Sequence, residues 1–345
     1  MDQALKQNND VVSLNDLSAD HVDPLKSTVE RILATPVARQ TFAQIIDGLP
    51  LYEERREYPP PATHPLVDGR RDVCPEAYQA LDTFRDNFSF DMLHFDTKPF
   101  SPSPSYASSR RNLTCVKKAQ AYQNTAVDSD NFTKHLLEMT ALALHNIGAD
   151  LFLRADGGLH QHKQEPGPYC QSASLFYHER YQEWTQYPQG AADCAGYWAE
   201  VKILGGVVVF NRGESNLEYG RVYLHPFPRA LLFSLMPFQL AAFVDFGTNP
   251  QREGHPPLPM KPKLGADRVE NFDSLDRHIF RDQYERLPRP QDYRFSCYTR
   301  SLDDDLEFLA ELREAMNSGL LPSAPKSSDL FAPLDDEDGA PPRQL

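Results

Sequence analysis

Two histidines stand on either side of one glutamine in a polar stretch of the chain, at His160 and His162. In an extended segment, side chains at i and i+2 project from the same side, so both imidazoles can reach one ion. Imidazole nitrogen is a common ligand of zinc, copper, iron and nickel. His178 follows in the sequence, and the spacing predicts a candidate metal site built from these three histidines. The alternative is a polar surface loop, because iron sites with two histidines and one carboxylate usually begin His-x-Asp or His-x-Glu.

The segment just after this loop, from 184 to 200, is rich in aromatic and acidic residues. Small-molecule sites typically combine aromatic walls with a few convergent polar groups. We therefore predict a ligand-binding segment that uses Trp184, Tyr187, Asp193, Tyr197, Trp198 and Glu200. The alternative is that the aromatic side chains of this segment belong to the core, and the sequence leaves both interpretations open.

A glycine pair, Gly205-Gly206, raises the question of a phosphate-binding loop. Such a loop needs further glycines at fixed offsets, or the pattern GxxxxGK[ST], and it opens a helix. Here the pair precedes VVVF, a run of β-branched and aromatic residues that is typical of a buried strand. The pair is therefore predicted to be structural, as a bulge, a tight turn or a close approach of two backbone segments.

Common catalytic and metal-binding signatures are missing from the sequence. It contains neither GxSxG nor HExxH, which mark nucleophilic serine enzymes and one class of metalloprotease. The five cysteines are scattered and no two form a CxxC pair, which argues against a zinc ribbon or a thioredoxin-type site. The histidine loop is thus the one metal-like cluster in the sequence, and the cofactor stays unknown at this level.

The net charge of the chain limits the partners that we expect, and its hydrophobic segments limit the compartments. A formal net charge of -14 and a pI of about 5.2 disfavour binding to nucleic acid. Residues 1–20 lack the basic and apolar regions of a signal peptide, and the most apolar stretch, 230–246, is shorter than a bilayer span. We expect a soluble cytoplasmic protein, with the nucleus as the alternative compartment, that binds neither nucleic acid nor membrane.

A long helix predicted over 130–154 must position much of this chemistry. Ser129 or Asp130 can cap its first turn, and large apolar residues cover more than one of its faces. A helix that is apolar on most sides is buried in the middle of a domain. His135 and His145 lie on it close to three turns apart, which is too far for one metal ion. We expect packing or capping roles for both histidines.

Strand-forming segments follow this helix at 206–210, 221–225 and 230–235. Pro237 suits the first position of a further helix. Together these elements predict an α+β fold, in which a small antiparallel β-sheet packs on a long buried helix and proline-rich irregular arms surround both. The core is expected at about 130–247.

The predicted domain organisation is a single α+β domain over 21–320 between two disordered ends. Residues 1–20 are polar and acidic, while 321–345 are rich in proline and serine and end in an acidic run. Proline-rich connections at 52–72 and 97–111 form the irregular arms.

The strings QYPQGAAD, GYWAE and GGVVVF, followed by VYLHP and IFRDQYER, resemble a family of uncharacterised proteins from filamentous fungi. The resemblance covers roughly residues 130–290. It implies an intracellular protein and, because some members accompany secondary-metabolite gene clusters, an accessory role in secondary metabolism. The family has no established activity, so the resemblance implies no reaction. This chain departs from the family pattern at Asn211, where an acidic residue is expected after the strand.

Two functions from different classes follow from these observations. The first is an accessory protein that binds a small molecule or a protein partner through the aromatic segment. The second is a metal-dependent enzyme that uses the His160/His162 loop, with Asp193 or Glu200 as further ligands or acid–base groups.

Overall fold

The computed structural model describes residues 17–56, 67, 69–90, 93, 118–160, 174–178, 180–215, 218–226, 231–249, 251, 255–271, 273–281 and 313. The chain divides into two compact units, Met1–Ser301 and Leu302–Leu345. Every element below belongs to the first unit, and Arg313 is the one described residue of the second. The first 16 residues, the predicted tail at 321–345, most of the proline-rich arms and His162 lie outside the described residues.

The helices have bounds that local sequence signals largely explain. They are α1 (Ala19–Leu33), α2 (Pro36–Asp47), α3 (Tyr52–Arg56), α4 (Pro75–Asp86), α5 (described over 118–123), α6 (Asp130–Arg154), α7 (Ala191–Leu204) and α8 (Pro237–Thr248). The long helix α6 has the predicted bounds, because the Ser129 hydroxyl accepts a hydrogen bond from the Phe132 amide at 3.0 Å. Helix α1 begins at Ala19, before the domain start predicted at residue 21.

The strands form one antiparallel sheet in the order β4-β3-β2-β1-β5. They are β1 (Val207–Asn211), β2 (Val222–His225), β3 (Leu231–Ser234), β4 (Arg268–Glu270) and β5 (Ile279–Phe280). The predicted α+β fold is therefore confirmed, with the sheet beside a long buried helix. The sequence predicted the three central strands, and the structure adds β4 and β5 as edges of three and two residues. In the second of these, Phe280 pairs with Phe210 of β1.

The two faces of the sheet pack against different surroundings, because successive side chains of a strand point to opposite sides. On one face, Val208, Phe210, Val222 and Leu224 join the main core with the helices. On the other face, Val207, Val209 and Tyr223 pack against the tyrosine-rich part of α7 and the segment before it. Helix α7 supplies residues to both cores and lies in the middle of the fold.

Helices α6 and α7 approach each other closely through small residues. A Cβ atom added to Gly196 would lie 2.7 Å from the His145 carbonyl oxygen and 2.9 Å from its imidazole ring. A Cβ added to Gly148 would lie 3.1 Å from the Ala199 Cβ and 3.3 Å from the Gly196 Cα. The glycine of the GYWAE string therefore lets the His145 side chain lie against α7.

The glycine pair has the structural role that its sequence context predicts. Gly205 has a φ of +96° and ends α7 in the left-handed region. A Cβ on Gly205 would overlap the Met260 carbonyl oxygen, and the Met260 amide donates a hydrogen bond to the Leu204 carbonyl at 2.8 Å. A Cβ on Gly206 would lie 2.9 Å from the His225 backbone. Both glycines therefore mark close approaches of backbone segments.

We expect Gly205→Ala to lower the free energy of unfolding by about 2–4 kcal/mol, because backbone strain adds to the clash with Met260. Gly69→Ala is the matched control, since Gly69 also has a positive φ, +78°, but no atom of the described residues lies within 4 Å of an added Cβ. The control should lose only about 1 kcal/mol. Urea unfolding of the two variants measures the difference. Equal losses would contradict a packing role for the approach of Met260.

Among the described residues, α6 is long and apolar enough to span a membrane by length and composition alone. Within the structure, however, 78% of its most apolar window is buried. Helix α6 packs against α1, α2, α7 and α8. Its apolar surface is thus used as the core of the first unit.

Candidate functional site

Three side chains with metal-ligand chemistry converge where separate elements end. Asp47 is the last residue of α2, Cys74 immediately precedes α4, and His160 lies in the turn after α6. Each offers one atom, a carboxylate oxygen, a thiol sulfur or a ring nitrogen, and these atoms all lie within 4.8 Å of one another. We call this group the Asp47–Cys74–His160 cluster.

The backbone holds the turn after α6 against the end of α2. The amides of Leu159 and His160 donate hydrogen bonds to the carbonyls of Ile46 and Asp47, both at 2.9 Å. Gly158 lies directly on Gly48, so that a Cβ on Gly158 would overlap the Gly48 backbone. His160 is therefore fixed next to Asp47 by main-chain contacts rather than by its own side chain alone.

The two oxygens of the Asp47 carboxylate have different partners. Oδ1 lies 2.7 Å from His160 Nδ1, and Oδ2 forms an ion pair with the Arg70 guanidinium. The Asp47 side chain is fully buried, whereas 47% of the His160 side chain is exposed and Cys74 is half-buried. Burial lowers the pKa of Arg70 from its usual value of 12.5. The cluster thus combines the buried Asp47 carboxylate, which is ion-paired with Arg70, and the His160 imidazole, which is open to solvent on one side.

The arrangement favours a metal centre over a cysteine–histidine–aspartate relay. In a relay the imidazole stands between the thiol and the carboxylate, and each contacts a different ring nitrogen. That order holds the sulfur and the carboxylate apart on opposite sides of the ring. Here the Cys74 sulfur, the Asp47 oxygen and the His160 nitrogen are mutually close, as ligands around one ion would be.

The structure separates the histidines that the sequence grouped together. His160 belongs to the cluster, and His162 lies outside the described residues. His178 is buried elsewhere: its Nδ1 accepts a hydrogen bond from the Arg180 amide at 3.1 Å, and Nε2 lies 3.3 Å from the Pro226 carbonyl. Both ring nitrogens of His178 are engaged, so in this arrangement it offers no lone pair to a metal.

Two of the predicted ligand-binding residues, Asp193 and Glu200, flank a buried histidine. His145 Nε2 lies 3.1 Å from an Asp193 oxygen, and Nδ1 lies 3.1 Å from a Glu200 oxygen. Arg281 also forms an ion pair with Glu200. Burial alone would lower the pKa of His145, but the hydrogen bonds to both carboxylates outweigh it and raise the pKa above 6.5. We call these four residues the His145 network.

The predicted aromatic residues divide between the core and the surface. Tyr197 meets the His145 ring edge-on at a centroid distance of 4.5 Å and packs against Tyr187 at 5.3 Å. Trp198 is buried in the main core, 4.8 Å from the Phe176 ring, while 42% of Trp184 is exposed. The structure therefore connects Tyr187, through Tyr197, to the histidine that Asp193 and Glu200 flank, while Trp198 packs in the main core and Trp184 is partly exposed.

A second buried ionic group surrounds Glu138 on α6. Its Oε1 accepts from Arg212 at 2.7 Å and lies 3.0 Å from Lys118 Nζ, and its Oε2 accepts from the Tyr219 hydroxyl at 2.7 Å. Burial alone would raise the pKa of Glu138, but Arg212, Lys118 and Tyr219 hold it well below its usual value. Burial also lowers the pKa of His135, which lies three residues before Glu138 on α6, to about 4. We call Glu138 and its three direct partners the Glu138 network.

Sequence reasoning missed Asp47, Cys74 and Arg70 because Asp47 lies in one segment and Arg70 and Cys74 in another, and both segments are far from the histidine loop. A lone cysteine directly before the proline that opens a helix was the one local signal at this site. His145 was predicted to pack, and its burial agrees, but its pairing with two carboxylates of α7 required the crossing of the helices.

Comparisons with protein-family models, with curated proteins and with solved structures give no match to this chain.

Proposed function

We propose that the protein is a metal-dependent hydrolase whose metal is held by the Asp47–Cys74–His160 cluster. The observation that carries the proposal is the convergence of a thiol, an imidazole and a carboxylate within 4.8 Å of one another. This is the alternative enzyme function suggested by the histidine loop, now with ligands from three segments of the chain.

The mixture of ligands favours zinc. Zinc binds cysteine sulfur, histidine nitrogen and carboxylate oxygen, and its catalytic sites use three protein ligands and leave one position for water or substrate. Zinc at such a site supplies a bound water whose pKa falls to about 7, which makes a nucleophile at neutral pH. The exposed side of His160 gives that position access to solvent.

Arg70 supports the proposal as a partner of a ligand. Carboxylates that bind a metal through one oxygen commonly accept a hydrogen bond at the other, which fixes their orientation. In Asp47, Arg70 holds Oδ2, so Oδ1, on the side of His160, is the oxygen that would bind the metal. The main-chain bonds of the turn after α6 hold His160 in place before any metal arrives.

Metal titration tests the proposal. We expect the full-length protein to bind one equivalent of zinc, and the cobalt-loaded protein to show the near-ultraviolet absorption of a thiolate–cobalt bond. Cys74→Ser should remove that absorption, and His160→Asn should weaken metal binding at least about tenfold. His255→Asn is the matched control, since His255 is exposed and outside the cluster.

Two results would count against the proposal. A wild-type protein that binds no stoichiometric metal would remove the metal centre. The second is a protein that binds metal but shows no zinc-dependent hydrolysis of an activated ester that a chelator abolishes. The ion would then be structural, and the hydrolase would be excluded.

The cellular setting is a separate proposal that rests on the resemblance. An accessory role in fungal secondary metabolism, in which the protein binds a small molecule or a protein partner, stays a prediction. Co-purification of such a partner from the producing organism would test it, and the metal centre does not depend on it.

A further inference from the structure

Arg70 carries a donor that the described residues leave unused. Its Nε atom is buried and has no hydrogen-bond acceptor among the residues that the structure describes. A buried donor without an acceptor has given up its hydrogen bond to water and gained none, so such a group in a native fold calls for an explanation. The guanidinium has five N–H donors in a rigid fork, and one of its terminal nitrogens is bound to Asp47.

The position of Arg70 places this donor beside the metal ligands. Its guanidinium contacts the same carboxylate that lies 2.7 Å from His160. The Arg70 side chain is 17% exposed, so the group lies at the edge of the buried part of the cluster. An acceptor that binds here would also lie next to the metal.

The net charge of the metal-loaded cluster is a second argument for a bound anion. A thiol that binds a metal loses its proton, so Cys74 and Asp47 together neutralise a divalent ion. Arg70 then leaves the loaded centre with a net charge of about +1. In a chain of net charge -14, a centre of positive charge selects an anion.

We propose that the substrate carries an oxyanion, a phosphate or a carboxylate group, and that one of its oxygens accepts a hydrogen bond from Arg70 Nε next to the metal. This inference rests on the proposed function, since it needs the metal in place. Arginine suits the role because its planar fork binds carboxylate and phosphate through two parallel hydrogen bonds.

The test measures binding of inorganic phosphate and of acetate to the full-length protein, with and without zinc, by calorimetry. We expect at least one of the two to bind the zinc-loaded protein. Binding should weaken about tenfold or more in Arg70→Gln, which loses a charge-assisted donor, and less in Arg70→Lys, which keeps the charge. Arg154→Gln is the matched control, because Arg154 is an exposed arginine paired with Asp150 on the surface.

Zinc content is measured on every sample, so the two proposals can fail separately. A wild-type protein without zinc refutes the metal centre, and the oxyanion site fails with it. Zinc-loaded wild type and zinc-loaded Arg70→Gln with equal affinities for both anions would refute the oxyanion site alone. A preference for phosphate would assign phosphoester substrates, and a preference for acetate would assign carboxylates.

Discussion

Replacing Glu138 by glutamine is expected to lower the free energy of unfolding by about 3–5 kcal/mol, the usual cost of breaking a buried ion pair on one side. The substitution keeps the shape of the side chain and removes its charge. Arg212 and Lys118 are both buried and would keep their charges without a counter-ion. Most of the cost therefore comes from the two cations rather than from the lost hydrogen bonds.

The same network predicts how stability depends on pH. The pKa of Glu138 in the folded protein lies below its ordinary value of 4.5. A carboxyl group with a depressed folded pKa contributes its stability above that ordinary value, and the contribution is lost as the pH falls toward the folded pKa. Wild type should therefore lose stability below pH 4.5, and the gap between wild type and Glu138→Gln should narrow there.

Denaturant unfolding at neutral and acidic pH measures both effects. Asp150→Asn is the matched control, because Asp150 forms a surface ion pair with Arg154 on the same helix. That variant should change stability by no more than about 0.5 kcal/mol. A loss as small as this in Glu138→Gln would show that the buried network contributes little.

His145→Leu should have an effect of similar size, about 3–5 kcal/mol, since it removes the charge between two buried carboxylates. Asp193 and Glu200 would then lie in the core without the imidazolium that bridges them, although Asp193 keeps the Gln189 amide and Glu200 keeps Arg281. His145→Gln keeps one hydrogen-bond donor and should lose less.

The pH dependence here has the opposite sign from that of Glu138. The folded pKa of His145 is raised, so its contribution is fully present below 6.5 and is lost as the pH rises through the folded value. The stability gap between wild type and His145→Leu should therefore shrink at alkaline pH. A gap that is constant from below pH 6.5 to alkaline pH would indicate that the histidine is neutral in the folded protein.

Sequence patterns within one segment predicted the helices and strands whose formation depends mainly on neighbouring residues. The bounds of α6 follow from a serine cap and from apolar residues on most of its faces, and the three central strands follow from short runs of valine, leucine and aromatic residues. Strands β4 and β5 were missed because three and two residues carry no periodicity. Their pairing is decided by the strands beside them.

The candidate site was predictable only in part, for the same reason. His160 was visible as a member of a histidine loop, but Asp47 and Cys74 are single residues at helix ends. The contact between Gly48 and Gly158, which connects segments more than a hundred residues apart, brings His160 to Asp47, and the packing of α4 on α2 brings Cys74 to them. No spacing rule within one segment could have indicated it.

Arg281 joins the two buried networks, and this has a consequence for synthesis of the protein on the ribosome. Its side chain pairs with Glu200, and its carbonyl oxygen accepts hydrogen bonds from Arg212 at 3.1 Å and from Lys118 at 3.3 Å. Glu200 is translated long before this cation leaves the exit tunnel. Until then Glu200 lacks its ion pair with Arg281 and has only His145, of these two partners, within the part of the chain already made. The centre of the fold should therefore close only after residue 281 has emerged, and a ribosome stalled before that point should present a protease-sensitive chain.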